Sequence, residues 1–254
     1  METGTNLDTN LYTAWKENDE PYFLLYISQT DTIKTPGWMK QQYPFFNCSS
    51  ENEARQKETM YPGYHTFIYK SYATSSCEMN KRLISYRKES QCFIAFHELM
   101  HNYISRQNLN IPYEFNEALC DIMGNYGALQ FSKNTKLIDR TIAEDQLKTN
   151  EKIYKIINLF IEKINSKPKK TLTLHARCEK RIQSFLKKGD TFQKDRFDYK
   201  INNAYLLKNK FYSQNYFLLK KVFQKQKTTG EFIELIKYLP GNVEDCTKYL
   251  SKYL

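Results

Sequence analysis

Ser90–Tyr103 reads Ser-Gln-Cys-Phe-Ile-Ala-Phe-His-Glu-Leu-Met-His-Asn-Tyr. Phe93, Phe96, Met100 and Tyr103 recur at the spacing of one helical face, and Ser90 offers the side chain of an N-cap. Four residues of helix advance the chain by about 400°, so His97 and His101 project from one face a turn apart. Two imidazoles so placed can share one metal ion. Glu98 rotates toward the remaining coordination position, where a carboxylate can take a proton from a metal-bound water. The neighbours Ile94, Ala95, Phe96, Leu99, Met100, Asn102 and Tyr103 are uncharged, as expected for a helix inside the protein.

A metal held for catalysis needs a third protein ligand. Pro112 can open a second helix, running through Asn116-Glu117-Ala118-Leu119-Cys120-Asp121-Ile122-Met123-Gly124 to about Phe131. Glu117 follows His101 closely enough for a loop and an antiparallel return. Glu117 and Asp121 share a helical face. One carboxylate can bind metal while the other accepts a hydrogen bond from a ligand imidazole, fixing its tautomer. Gly124 and Gly127 permit close approach of the two helices.

Outward from these helices the chain changes character. Residues 1–80 read as extended segments with turns. Tyr22–Ser28 (YFLLYIS) and Tyr64–Tyr72 (YHTFIYKSY) are the strand candidates, and Pro36-Gly37 and Pro62-Gly63 mark turns. Leu137–Asn165 reads as one or two helices. Ser166–Lys170 (SKPKK) is a breaker, and the remainder is helical with stops near Gly189-Asp190, Thr229-Gly230 and Pro240-Gly241-Asn242. The expected class is α+β, a small N-terminal sheet on a mostly helical body. We expect one domain over 1–254, with sub-lobes 1–165 and 166–254.

Composition narrows the function classes. With 41% hydrophobic and 26% charged residues, the chain has enough apolar content to fold. Its apolar runs are too short to span a bilayer. The first twenty residues show no basic start and no apolar stretch, which makes the cytoplasm the default location, or export if a leader has been removed. The net charge of +10 is lopsided: residues 151–254 carry 23 Lys and Arg against 10 Asp and Glu, whereas residues 1–150 carry 15 against 18. The lysines are scattered and no nucleic-acid motif accompanies them, so a solvated helical surface is expected rather than a nucleic-acid partner. The six cysteines form no CxxC pair, which argues for reduced thiols. Asn47-Cys48-Ser49 fits a glycosylation acceptor, a tripeptide common by chance. Oligomeric state is not legible.

The stretch His97–His101 followed by Asn116–Gly124 resembles the zinc motif of the gluzincin metallopeptidases, the thermolysin type. That resemblance implies a zincin-like fold with the HExxH helix in a cleft, and one Zn2+ per chain. It implies His97, His101 and Glu117 as ligands, Glu98 as base, Asp121 as orienter of His97, and Asn116 beside the ligand. A longer stretch from Gly63 onward is similar to a bacterial family of predicted zinc aminopeptidases. The matching pieces are Gly63-Tyr64, Tyr72-Ala73-Thr74-Ser75, Phe115-Asn116-Glu117, Asn202-Asn203-Ala204, Leu206, Tyr212 and Phe232.

A zinc peptidase also needs a donor for the oxyanion. Candidates are Tyr212, favoured by the family pattern, then His175 and Tyr113. A peptide or protein substrate would lie along a sheet edge by strand addition, with Tyr64–Ser75 as the edge and Tyr72, Ala73 and Thr74 in contact. Asn202 and Asn203 bond substrate backbone or cap a helix. The Gly-x-Met-Glu-Asn element of several zinc aminopeptidases is absent, and Glu78 and Glu114 are weak substitutes for holding an α-amine. The expected activity is thus zinc-dependent peptide hydrolysis, terminal or internal. Two other readings stand beside it. One is a non-catalytic basic helical module for anionic partners. The other is a structural zinc, with Cys120 or His175 as the fourth ligand.

Overall fold

The computed structural model describes residues 20–39, 44–73, 79–186 and 189–254. Its sheet has three antiparallel strands in the order β2-β1-β3, with β1 Tyr22–Ser28, β2 Phe45–Cys48 and β3 His65–Ser71. The register of the β1–β3 pair runs from Tyr22 opposite Ser71 to Ser28 opposite His65. β1 lacks hydrophobic alternation because both of its faces are covered. Phe23, Leu25 and Ile27 pack with Cys48 and Ala54, while Tyr26 enters the main core on the other face.

Ala54 belongs to α1, Glu51–Thr59, a helix inside the region expected to be extended. The signal for it was local. Ser50 caps it by accepting from the Glu53 amide, and the Glu53 carboxylate turns back to the Ser49 amide and hydroxyl. This is a close variant of a capping box. Ala54 is its buried residue, so no apolar stripe reveals it.

After α2, Lys81–Ser85, come α3, Lys88–Arg106, and α4, Tyr113–Asn134. α3 starts before Ser90. Ser90 is therefore a buried interior residue, not the cap, and its hydroxyl meets Asp190 and Gln146. α3 and α4 pack closely through the two glycines. A Cβ on Gly124 would lie 2.8 Å from the Phe93 ring and 2.9 Å from its carbonyl oxygen, and one on Gly127 would lie 2.5 Å from the Phe96 ring.

α5, Arg140–Ser166, is a single helix capped by Asp139. The breaker forms a 3-10 turn at Pro168–Lys170, after which α6, Thr171–Leu186, packs back on α5. Then follow α7 Thr191–Phe197, α8 Asn203–Ser213, α9 Tyr216–Lys225, α10 Thr229–Ile236 and α11 Val243–Ser251. Thr229-Gly230 opens α10 behind the cap Thr228 and does not end a helix. One buried cluster runs from Tyr26 to Leu250, so segments on both sides of the breaker share a core. α8 is the link, packing on α4 and α5 and on the sheet. Among the described residues, no helix is long and apolar enough to cross a membrane.

Candidate metal centre

Close packing of α3 against α4 turns the two histidines toward Glu117. The Nε2 atoms of His97 and His101 are 3.1 Å apart, and Glu117 Oε2 is 3.6 Å from each. Metal bonds of about 2.0–2.1 Å arranged tetrahedrally put neighbouring ligand atoms roughly 3.3–3.4 Å apart. The observed triangle therefore has the dimensions of three corners around one ion, and these residues form a group able to hold one. Glu117 Oε2 is buried and accepts no hydrogen bond from a described residue. That is an anomaly for a carboxylate unless a cation meets it.

The far side of the His97 ring is fixed. Its Nδ1 lies 2.9 Å from Asp121 Oδ1, an ion-pair contact that favours the proton on Nδ1 and leaves the Nε2 lone pair facing Glu117 and His101. Asp121 is wholly buried and held in turn: its Oδ2 accepts from Arg196 Nη2 at 2.6 Å and from the Tyr154 hydroxyl. Arg196, on α7, also donates to Tyr154.

The charge balance favours a cation. Burial pushes the Asp121 carboxyl up, but Arg196 and His97 outweigh it and hold the group below its ordinary value. Burial likewise opposes ionisation of Glu117, yet His101 and His97 keep it well below the carboxylate range. His97 is driven against its burial to about 10 by Asp121 and Glu117. In physical terms, the carboxylates demand positive charge at this point, and a proton supplies it when no ion does. Glu98, 8% exposed, departs in the other direction. Burial raises its pKa despite the pull of His97 and His101.

Two cavities meet at the centre. Both are lined by Tyr69, Ser71, Ala73, His97, Glu98 and Tyr212. Tyr69 and Ser71 alternate along edge strand β3, and Ala73 continues that face of the chain. Tyr72 lines one cavity, on the side of Phe93, Phe192 and Arg196. Asn116 and Tyr113 line the other, on the side of Tyr26 and Phe45. The Tyr212 ring lies parallel to the His97 ring at 6.3 Å, with interplanar angle 18°.

Several expected site residues stand elsewhere. His175 is not at the centre: on α6 its Nε2 is 2.8 Å from Asn203 Oδ1 and its ring meets His65, so it is not placed to serve an oxyanion. Asn202 caps α8, accepting from the Tyr205 amide and donating to the Thr66 carbonyl. Asn203 is fully buried and donates to the carbonyls of Gln29 and Thr30. The fold engages both side chains, and neither lines the two cavities at the centre. Asn116 accepts from the Cys120 thiol at 3.5 Å and not from a ligand ring. Neither Cys120 nor His175 belongs to the metal group among the described residues. Glu114 lines neither cavity. Thr74 and Glu78 lie outside the described residues. The cysteines Cys48, Cys92, Cys120, Cys178 and Cys246 are free thiols.

Arg196 and Tyr154 escape a reading of the sequence. Each is one ordinary Arg or Tyr far from the motif, and nothing in its flanks signals that the fold brings it there. The chain matches no family model, no curated protein and no solved structure.

Proposed function

We propose that this chain is a zinc-dependent peptide hydrolase of gluzincin type. The observation that carries the reading is the convergence of His97, His101 and Glu117 on one point, with Glu98 beside them and Asp121 behind His97. His97, His101 and Glu117 are the residues to hold the ion. Zinc supplies Lewis acidity toward a carbonyl oxygen and makes a bound water a nucleophile near neutral pH. With the ion in place, Glu98 would take a proton from the attacking water and pass it to the leaving amine. Tyr212, on the wall shared by the two cavities, donates its hydroxyl to the developing oxyanion. The substrate lies extended along β3, with its side chains falling alternately into the two cavities. Asp121, clamped by Arg196 and Tyr154, keeps the His97 ring from rotating.

Three protein donors without a fourth among the described residues favour a catalytic ion over a structural one. The test is metal analysis of the purified chain beside His101→Ala, with a peptide-library digest read by mass spectrometry. The wild type is expected to hold about one zinc per chain and to cut peptides. Glu98→Gln should keep the metal and lose hydrolysis; full activity in that variant refutes the assignment. The fragments formed separate terminal ladders from internal cuts.

A further inference from the structure

Lys208 breaks the rules of the core. It is on α8 and 1% exposed, and its Nζ donates no hydrogen bond to a described residue. Burial, with Arg196 nearby, lowers its pKa to about 7, so Glu117 and Asp121 do not compensate for its surroundings. Its Nζ faces two aromatic rings. Nζ is 4.0 Å from the centroid of Tyr69 and 4.5 Å from that of Tyr212. Tyr69 comes from edge strand β3 and Tyr212 from α8, and both rings line both cavities. Arg196 approaches the Tyr212 ring as well, at 4.9 Å.

A buried amine costs stability that an apolar side chain of equal length would return. Its N–H groups attract ring faces, and a thioether in its place would leave the rings free to slide. Natural sequences break the rules of the core chiefly at functional or strained sites. The geometry points to Lys208 as a positioning residue that ties Tyr212 to the sheet edge and so holds its hydroxyl over the reacting carbonyl. This inference rests on the peptidase reading, in which Tyr212 is the oxyanion donor. Lys208 itself touches no reacting atom.

The experiment pairs Lys208→Met with Tyr212→Phe, on the full chain loaded with zinc. It records melting temperature with and without zinc, zinc content, and kcat and KM on the library peptide cut fastest. Lys208→Met should melt at or above the wild-type temperature and keep its zinc. It should lower kcat about tenfold or more, on the scale of a weakened oxyanion donor, with KM held within about twofold. In the Tyr212→Phe background the same change should cost less than about twofold, because two residues acting as one unit are not additive. Wild-type kcat in Lys208→Met overturns the assignment. So do kinetic losses that multiply with Tyr212→Phe, or a lower melting temperature, which marks Lys208 as a structural residue. A chain that holds no zinc, or that cuts peptides without Glu98, overturns the peptidase reading itself. A chain that holds zinc, needs Glu98 and ignores Lys208→Met overturns only this inference.

Discussion

Two histidine pairs in this fold, each with one buried and one half-buried ring, have opposite fates. His97 and His101 lie on α3 with rings 4.9 Å apart, and His65 and His175 bring β3 and α6 together with rings 5.8 Å apart. The first pair faces Glu117 and Asp121, and His97 is driven up to about 10. The second pair is bonded by an amide. His175 meets Asn203 Oδ1 and His65 Nδ1 accepts from the Asn203 amide, so burial prevails and both pKa values fall. The residue type is the same and the burial comparable; the carboxylates decide. Imidazoles beside buried carboxylates form a place for a cation, whereas imidazoles beside an amide become neutral packing.

The comparison breaks most directly at the ligands. His101→Ala removes one corner of the triangle and is expected to abolish stoichiometric zinc, as read by elemental analysis. His175→Ala should leave zinc content unchanged. Equal loss in both variants would erase the distinction between the pairs. Removing the ion from the wild type with a chelator should also lower its melting temperature, because an ion that binds only the folded state stabilises it by mass action.

Next in size is the carboxylate behind the ring. Asp121→Asn keeps the shape but replaces the acceptor that holds His97 Nδ1–H. Loss of such an outer partner costs about 10–100-fold in metal affinity, measurable by competition with a chromophoric chelator. It also leaves Arg196 buried without its countercharge, so a lower melting temperature should accompany the weaker binding. Unchanged affinity would mean that Asp121 serves Arg196 and not the ligand.

How far the sequence anticipates all this depends on distance along the chain. His97, Glu98 and His101 lie within two turns, and Glu117, Asp121, Gly124 and Gly127 lie along one more helix. Helical geometry relates the residues within each helix, and the resemblance of the two segments to a known zinc motif assigns which carboxylate meets the histidines. Strand β1 was legible from its apolar run and β3 from its aromatic and β-branched residues. What a linear reading lacks is the docking of distant elements. Arg196 reaches Asp121 across 75 positions, and Lys208 meets Tyr69 only because α8 packs on β3. His175 was chosen by residue type, and the fold spends it on Asn203. α1 went unread because its only internal sign was a capping pattern.

The packing of α3 on α4 offers a test of intermediate size. Gly124→Ala places a methyl group against the Phe93 ring and carbonyl, where there is no room. Overpacking of this kind costs about 1–3 kcal/mol, seen as a lower denaturant midpoint with an unchanged slope. Because α4 also carries Glu117, the variant should bind zinc more weakly, while the bonds of Asn203 around the second pair persist. Destabilisation with wild-type affinity would separate the helix contact from ligand placement.

The smallest effect lies in the second pair, and its sign follows from linkage. His65 and His175 have folded pKa values below the ordinary imidazole value, mainly through burial. Below the unfolded pKa, about 6.5, the unfolded chain then binds more protons than the native one. Stability therefore falls as the pH drops through that point, and the loss levels off only once the pH passes the folded values. His175→Gln keeps a donor for Asn203 Oδ1 but cannot take a proton. The difference in unfolding free energy between wild type and this variant should shift against the wild type between pH 7 and pH 5. Taking that difference cancels the contributions of Glu98 and His97, which are common to both proteins. A difference that stays flat with pH would show that His175 titrates normally, and the contrast between the two pairs would then rest on the carboxylates of the first alone.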